Sequence, residues 1–330
     1  MQLSQISCLN NAQNTGVDAC FLDPKRIVGI ILTPRNYQVA AAIITTGLAG
    51  VLTQLQADIN NTSKSARIYP VNGFETGSDS SEALVVQTMS YGGKHVVREG
   101  MLDWGYQFVN GGLSLSKKLR SFNGTGHDFF LIDSDNNLIG TSGTDATGSP
   151  CLQAISISNG FFWCIPWKVN EGTKIAEYAV RIVFQPQFIN DLVQFIAFGA
   201  SYNLPTLLTG LQSIILTSPS ANATAGSYNI VPYTQDSKTN LYDTLDTELV
   251  AASWVATNDA GLPIAITSVT PGAAVGGAGI GGYVIALSTA DPNYPTVAGK
   301  KVTINFASPS VLTTNGTPGL EGIPVSIVHN

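Results

Sequence analysis

Residues 66–140 read ARIYPVNGFETGSDSSEALVVQTMSYGGKHVVREGMLDWGYQFVNGGLSLSKKLRSFNGTGHDFFLIDSDNNLIG. Three short runs in this stretch, Leu84–Met89, Gly105–Val109 and Asp128–Ile132, are separated by breaks rich in Gly, Ser, Asn and Asp. Runs of that length between turn formers predict strands. One compact basic segment, Leu113–Phe122, interrupts them with a helix-like pattern. The stretch therefore predicts a mainly β domain that carries a few helices.

Toward the N-terminus, Arg26–Leu32 (RIVGIIL) is a nearly continuous apolar run and reads as a buried strand. Thr33 and Pro34 then supply a capping residue and a proline at the first helical position. Ile44, Leu48, Val51, Leu52, Leu55 and Ile59 follow at helical spacing, which predicts one amphipathic helix over about 34–59. Gly47 and Gly50 weaken it, each by about 1 kcal/mol relative to alanine. Residues 1–24, rich in Asn, Gln and Ser, read as an irregular arm.

Asn72–Ser81 (NGFETGSDSS) predicts a ten-residue polar loop, and a loop of that length inside a β domain reads as a contact arm. Phe74, Glu75, Asp79 and the adjoining Glu82 are its candidate subunit-contact residues. Lys117, Lys118 and Arg120 form a basic cluster without the stacking aromatics that nucleic acid would need, so they read as an ion-pairing surface for an acidic neighbour subunit.

Toward the C-terminus, Cys151–Ser158 and Lys174–Phe184 alternate like strands, and the aromatic run Phe161–Trp167 (FFWCIPW) reads as core. Phe188–Phe198 fits a strand or a helix. Thr217–Ser227 (TSPSANATAGS) has neither charge nor a large apolar side chain and reads as a linker, which sets an assembly domain at 25–216. Beyond it, strand candidates recur at 228–233, 248–256, 263–269, 282–288, 300–306 and 323–328 around one tryptophan, Trp254. That pattern over 228–330 predicts an immunoglobulin-like sandwich without the usual cysteine pair.

Charged residues make up 12% of the 330, against about 25% in an average soluble protein, so the surface has a thin defence against association. The net charge of −6 gives no global basic footprint for nucleic acid. MQLSQISCLN lacks the basic start and apolar core of a signal peptide, and Val39–Leu52 is too short and interrupted to span a bilayer. Cys8, Cys20, Cys151 and Cys164 match neither redox nor zinc spacing and read as buried free thiols.

No nucleophile elbow, metalloprotease or nucleotide-loop motif occurs, and His95, His127 and His329 stand alone. The expectation is a non-enzymatic protein without a cofactor. Asp133, Asp135 and Asn137 open like a calcium loop, but Leu138 occupies the glycine position and the distal glutamate is missing. Between the apolar runs FFLI and LIG, a hairpin turn is the better prediction.

The ARIYPVNGFETGSDSSE loop, the LSLSKKLRSFNG helix followed by FFLIDSDNNLIG, and the module that follows TSPSANATAGS and ends in KKVTINFAS and GIPVSIV together resemble virion structural proteins of tailed bacteriophages. Among these the chain looks most like a tail-tube subunit; the likeness is one of style and domain order over most of the chain. It implies a tail-tube-like β barrel or sandwich with an outer helix at 34–59 and a loop at 72–82 reaching to the next ring. The partners it implies are other copies of the chain and other virion proteins, with DNA passing through without specific binding and without membrane insertion. The outward module has weak host-surface glycan contact as a family-level role, and assembly into the virion takes place in the host cytoplasm. A capsid decoration protein or head–tail connector is the alternative within this class. A carbohydrate-binding or adhesive surface protein is the alternative from another.

Overall fold

In the computed structural model, which describes residues 26–108, 112–158, 160–166, 178–186, 193–219, 226–245, 248–297 and 299–329, RIVGIIL becomes a strand buried on both faces. The expected arm at 1–24, Cys8, Cys20, residues 174–177 and 187–192, and 220–225 of the expected linker lie outside the described residues. The chain divides into one unit of 1–59 with 65–209 and a second of 60–64 with 210–330.

The first unit begins with β1 (Ile27–Pro34), β2 (Gln38–Val39), α1 (Ala41–Thr45), α2 (Leu48–Ile59), β3 (Tyr69–Asn72) and β4 (Thr76–Asp79). It continues through β5 (Val85–Thr88), β6 (Lys94–Arg98), β7 (Leu102–Phe108), α3 (Gly112–Arg120), β8 (His127–Asp133) and β9 (Asn137–Thr144). It closes with β10 (Pro150–Gln153), β11 (Phe161–Cys164), β12 (Tyr178–Phe184), β13 (Val193–Ala197) and the short α4 (Leu204–Leu207). Phe188–Phe198, open between strand and helix in the sequence, thus holds a strand.

Pro34 does not start a helix. It ends β1, opposite His127 of β8, and Asn36 at φ +58° turns the chain while its N–H donates to Asp128 Oδ2 at 2.7 Å. The predicted helix over 34–59 is therefore two. Gly47, at φ +89°, breaks them apart, a backbone position that side chains other than hydrogen rarely adopt. The first helical N–H, at Ala41, is met by the Asp145 carboxylate from the β9–β10 turn, so the cap comes from 104 residues away rather than from Thr33.

Strand alternation sorts the core into two faces. Ile30, Leu32, Phe129 and Leu131 join Tyr106, Phe108, Phe162, Val180, Ile182 and Phe184 in one cluster between two sheets. Ile31, Phe130 and Ile132, the intervening residues, are buried as well. Their face belongs to α2, which buries Val51, Leu55 and Ile59 at four-residue spacing. Tyr37 ties the two together, with its ring edge-on to Phe130 at 6.0 Å and its hydroxyl bonded to Asp58 of α2.

The first sheet runs β2-β10-β9-β8-β1-β3, with β13 also paired to β9; the second runs β11-β12-β7-β4. Among the described residues both are open, so this is a sandwich and not the barrel that the sequence allowed. Cys151 and Cys164 are free and buried, and burial pushes both thiols up from the ordinary range.

The second unit contains β14 (Gln212–Thr217), β15 (Ser227–Thr234), β16 (Trp254–Asn258), β17 (Pro263–Ile264), β18 (Ile266–Gly272) and β19 (Gly282–Leu287). It ends with β20 (Lys301–Phe306), α5 (Pro309–Thr314), β21 (Leu320–Ile323) and β22 (Val325–Val328). Its sheets run β18-β19-β15-β14-β21 and β17-β16-β20-β22. Lettered along the chain, these are D-E-B-A and C′-C-F-G, the order of an immunoglobulin sandwich, with the last strand split so that β21 pairs parallel with β14. Trp254 of strand C lies in the shared core against Phe306 and Tyr283.

The predicted linker is corrected here. β14 pairs with β15 from Ile214 opposite Thr234 to Thr217 opposite Val231, so residues 217–227 connect neighbouring strands of one sheet. The units separate after Thr209 instead. Small uncharged residues suit a connection within a sheet as well as one between domains, which is why composition misplaced the boundary.

Candidate assembly arm

The predicted loop at 72–82 is one leg of a long β-ribbon. β4 pairs with β7 from Thr76 opposite Gln107 to Asp79 opposite Trp104. The ladder continues where Ser80 N–H donates to Asp103 O (2.8 Å) and Glu82 N–H to Met101 O (3.0 Å). β5 and β6 then pair from Val85 opposite Arg98 to Thr88 opposite Lys94, and Met89 N–H closes the turn on Gly93 O at 2.7 Å.

The distal half leaves the sheet. β5 and β6 form a sheet of only two strands, and every residue in both is exposed. Leu84 is 51% exposed, Tyr91 74%, Val96 60% and Val97 58%, with Val85 and Val86 close behind. A lone two-stranded ribbon is marginal in water, and burying a single valine contributes roughly 1.5 kcal/mol or more. Ten residues per leg, from Glu82 to Tyr91, extend roughly 30 Å at the usual strand rise. A ribbon carrying this much uncovered apolar surface has the composition of a docking element.

Its elbow is Gly100. A β-carbon there would lie 2.1 Å from Glu82 O and 2.6 Å from Glu82 C, so only glycine lets the legs cross this closely. Beside it the Glu82 carboxylate accepts from Arg98 Nη1 at 3.0 Å and from Met101 N–H at 3.4 Å. Gly100→Val is expected to unseat the distal ribbon without lowering the melting temperature of either unit. Limited proteolysis would then show cleavage within 84–98 faster by about fivefold or more; an unchanged rate would mean that the crossing does not set the arm.

The structure brings Glu75, Asp79 and Glu82 onto this ribbon, all exposed. Phe74 is the exception and is corrected: it is 2% exposed and stacks on Tyr106 at 4.9 Å, so it anchors the ribbon base in the core. The Asp79 carboxylate accepts from Ser81 N–H and the Ser81 hydroxyl, which hold it below the usual carboxylate range. Lys117, Lys118 and Arg120 stand on the exposed side and last turn of α3, where cations complement the helix dipole, while Ser116 and Leu119 face inward.

Asp133, Asp135 and Asn137 make the β8–β9 turn. Asp133 Oδ1 accepts from Asp135 N–H (3.0 Å) and Asn137 N–H (2.9 Å), and Oδ2 from Asn137 Nδ2 (2.8 Å), so both oxygens already serve donors of the turn itself. Among the described residues no group of three His, Cys, Asp or Glu side chains is placed to hold a metal ion, and no helix is long and apolar enough to cross a membrane.

The second sheet offers two further surfaces. Its outer strands, β4 and β11, have no partner on their far edges among the described residues. Its outward face carries Phe161 (40% exposed) and Trp163 (45%), whereas the alternate residues Phe162 and Cys164 are core. Of the aromatic run read as core, Phe161–Cys164 is therefore half core, and Trp167 lies outside the described residues. Across the register, Phe161 leads to Val183 and then Asp103, and Trp163 to Arg181 and then Gly105. Arg181 grips Asp103 with both Nε (2.6 Å) and Nη2, which neutralises the pair.

The exposed valines are the functional candidates that sequence reading missed. LVVQTMSYGGKHVV carries the hairpin signal in its two apolar runs around a glycine turn, but nothing local reveals that neither face is covered. No protein-family model, curated protein or solved structure matches the chain. The ribbon and the sheet edges are the features from which function can be read.

Proposed function

We propose that the chain is a structural subunit that assembles with copies of itself, and that it builds the tail tube of a bacteriophage as stacked rings. The observation that carries this reading is the ribbon at 84–98, whose apolar side chains have no cover among the described residues. The second sheet supports it. Strand edges without a partner invite pairing with another chain, and joining β4 of one copy to β11 of the next is a head-to-tail contact, the kind from which rings are built.

In such a ring the outward face of that sheet lines the bore. It presents Thr76, Ser78 and Gln107, the neutralised Asp103–Arg181 pair and the exposed rings of Phe161 and Trp163. A wall without unpaired cations gives DNA phosphates nothing to hold, so the strand passes without binding. The helices α1 and α2 belong to the opposite side of the first unit and take the outer position.

Negative-stain microscopy of the full chain tests the proposal. Stacked rings or tubes with an open bore are expected. Monodisperse monomers would overturn it, and trimers that fail to stack would move the assignment to capsid decoration.

A further inference from the structure

The two outer strands of the second sheet differ at their edges, because β11 has a cover. Cys164 N–H donates to Asn123 Oδ1 at 2.6 Å, and Asn123 Nδ2 donates to Cys164 O at 3.2 Å. A side-chain amide carries the same C=O and N–H as a peptide group. Asn123 therefore makes with Cys164 the two bonds that a residue of a neighbouring antiparallel strand would make. Backbone direction alternates along the four residues of β11, so only Phe162 and Cys164 aim their N–H and C=O away from β12. Asn123 takes one of these two positions. Among the described residues no side chain does the same on β4.

The covering amide is held in place from its own side. Asn123 N–H donates to Arg120 O at 3.2 Å, and Gly124, at φ +71°, turns the chain out of α3. The ring of Phe122 packs on Tyr69 at 4.7 Å and edge-on to His127 at 5.4 Å. One turn of α3 earlier, Ser116 O accepts from the Cys164 thiol at 3.8 Å. Covering an edge with a helix or loop keeps sheets from pairing out of turn. Here the cover is two neutral hydrogen bonds from a half-buried side chain, which a strand can replace one for one.

We infer, resting on the β4–β11 contact proposed for the ring, that Asn123 is a latch on assembly. It occupies the β11 edge in the free subunit, and β4 of the next copy displaces it. Pairing then gains nothing at Cys164, since two bonds are lost for two made. The free subunit accordingly stays unpaired at concentrations where an open edge would associate.

Amide hydrogen exchange and sedimentation velocity on the full chain, wild type against Asn123→Ala, test the latch. Below the concentration of association, the Cys164 amide should exchange about tenfold faster in the variant. The concentration at which copies associate should fall by about tenfold. Ser121→Ala, whose lost hydroxyl donates only to Lys118 O in the same turn, should change neither. Asn123→Asp keeps the acceptor and loses the donor; it should shift association in the same direction even if alanine unfolds the turn. An unchanged Cys164 exchange rate, an equal response in Ser121→Ala, or a freed amide with association at the wild-type concentration would each overturn the latch and leave the ring standing. Chains that stay monomeric in the wild type and in both Asn123 variants would overturn the ring, and the latch with it.

Discussion

Replacing Val86 and Val96 together with aspartate is expected to abolish assembly of the full chain while leaving the melting of both units unchanged. The two valines face each other across the ribbon and are 42% and 60% exposed, so in a single copy they support no core. In an assembly each would bury apolar surface worth roughly 1.5 kcal/mol or more, and a buried unpaired carboxylate in its place adds a desolvation cost of several kcal/mol. Per interface the loss exceeds about 4 kcal/mol, a factor of roughly a thousand in association constant. Sedimentation velocity across a concentration series reads this directly. Assembly that survives with wild-type concentration dependence would show that the ribbon is not the docking element, and a fallen melting temperature would show that it packs within the chain.

Trp254→Ala is expected to give the largest loss of stability, confined to the second unit. The side chain is 3% exposed, its ring lies 4.6 Å from Phe306 and 5.5 Å from Tyr283, and Nε1 donates to Leu249 O. Truncating a buried tryptophan to alanine costs about 3–5 kcal/mol. For a unit of this size that lowers its melting temperature by roughly 10–20 °C. No disulfide cushions the loss, because no cysteine occurs after Cys164. Calorimetry on the full chain should show one transition moved and one in place. A common fall of both transitions would mean that the division after Thr209 does not separate cooperative units.

The two units were unequally legible. RIVGIIL became β1, the described part YAVRIVF of KIAEYAVRIVF and FFLI became β12 and β8, and the basic segment before Phe122 became α3, because each carries its periodicity within a few residues. An immunoglobulin-like sandwich was expected from strand spacing and Trp254, while its strand order, with β14 ahead of the expected range, came from the pairing. Three expectations failed for a shared reason. Pro34 has the chemistry of a helix start but sits in a ladder opposite His127. Phe74 lies in a polar stretch but reaches Tyr106. TSPSANATAGS has linker composition but follows a strand already paired within its own sheet.

The candidate site divides the same way. Glu75, Asp79 and Glu82 were read as contact residues from their loop-like setting, and they lie on the ribbon, though on its base and elbow rather than its tip. The tip valines carry the same alternation as a core strand. Only the absence of any third strand beside β5 and β6 among the described residues distinguishes them.

The sequence by itself determined the elements with strong local periodicity and the mainly β class, since side-chain alternation and turn chemistry act over a few residues. The tertiary structure alone decided where the chain divides, which half of FFWC is core, and that a valine-rich hairpin stands uncovered. Burial belongs to pairs of distant segments: a valine is core or contact surface according to whether another strand, far along the chain, arrives to cover it.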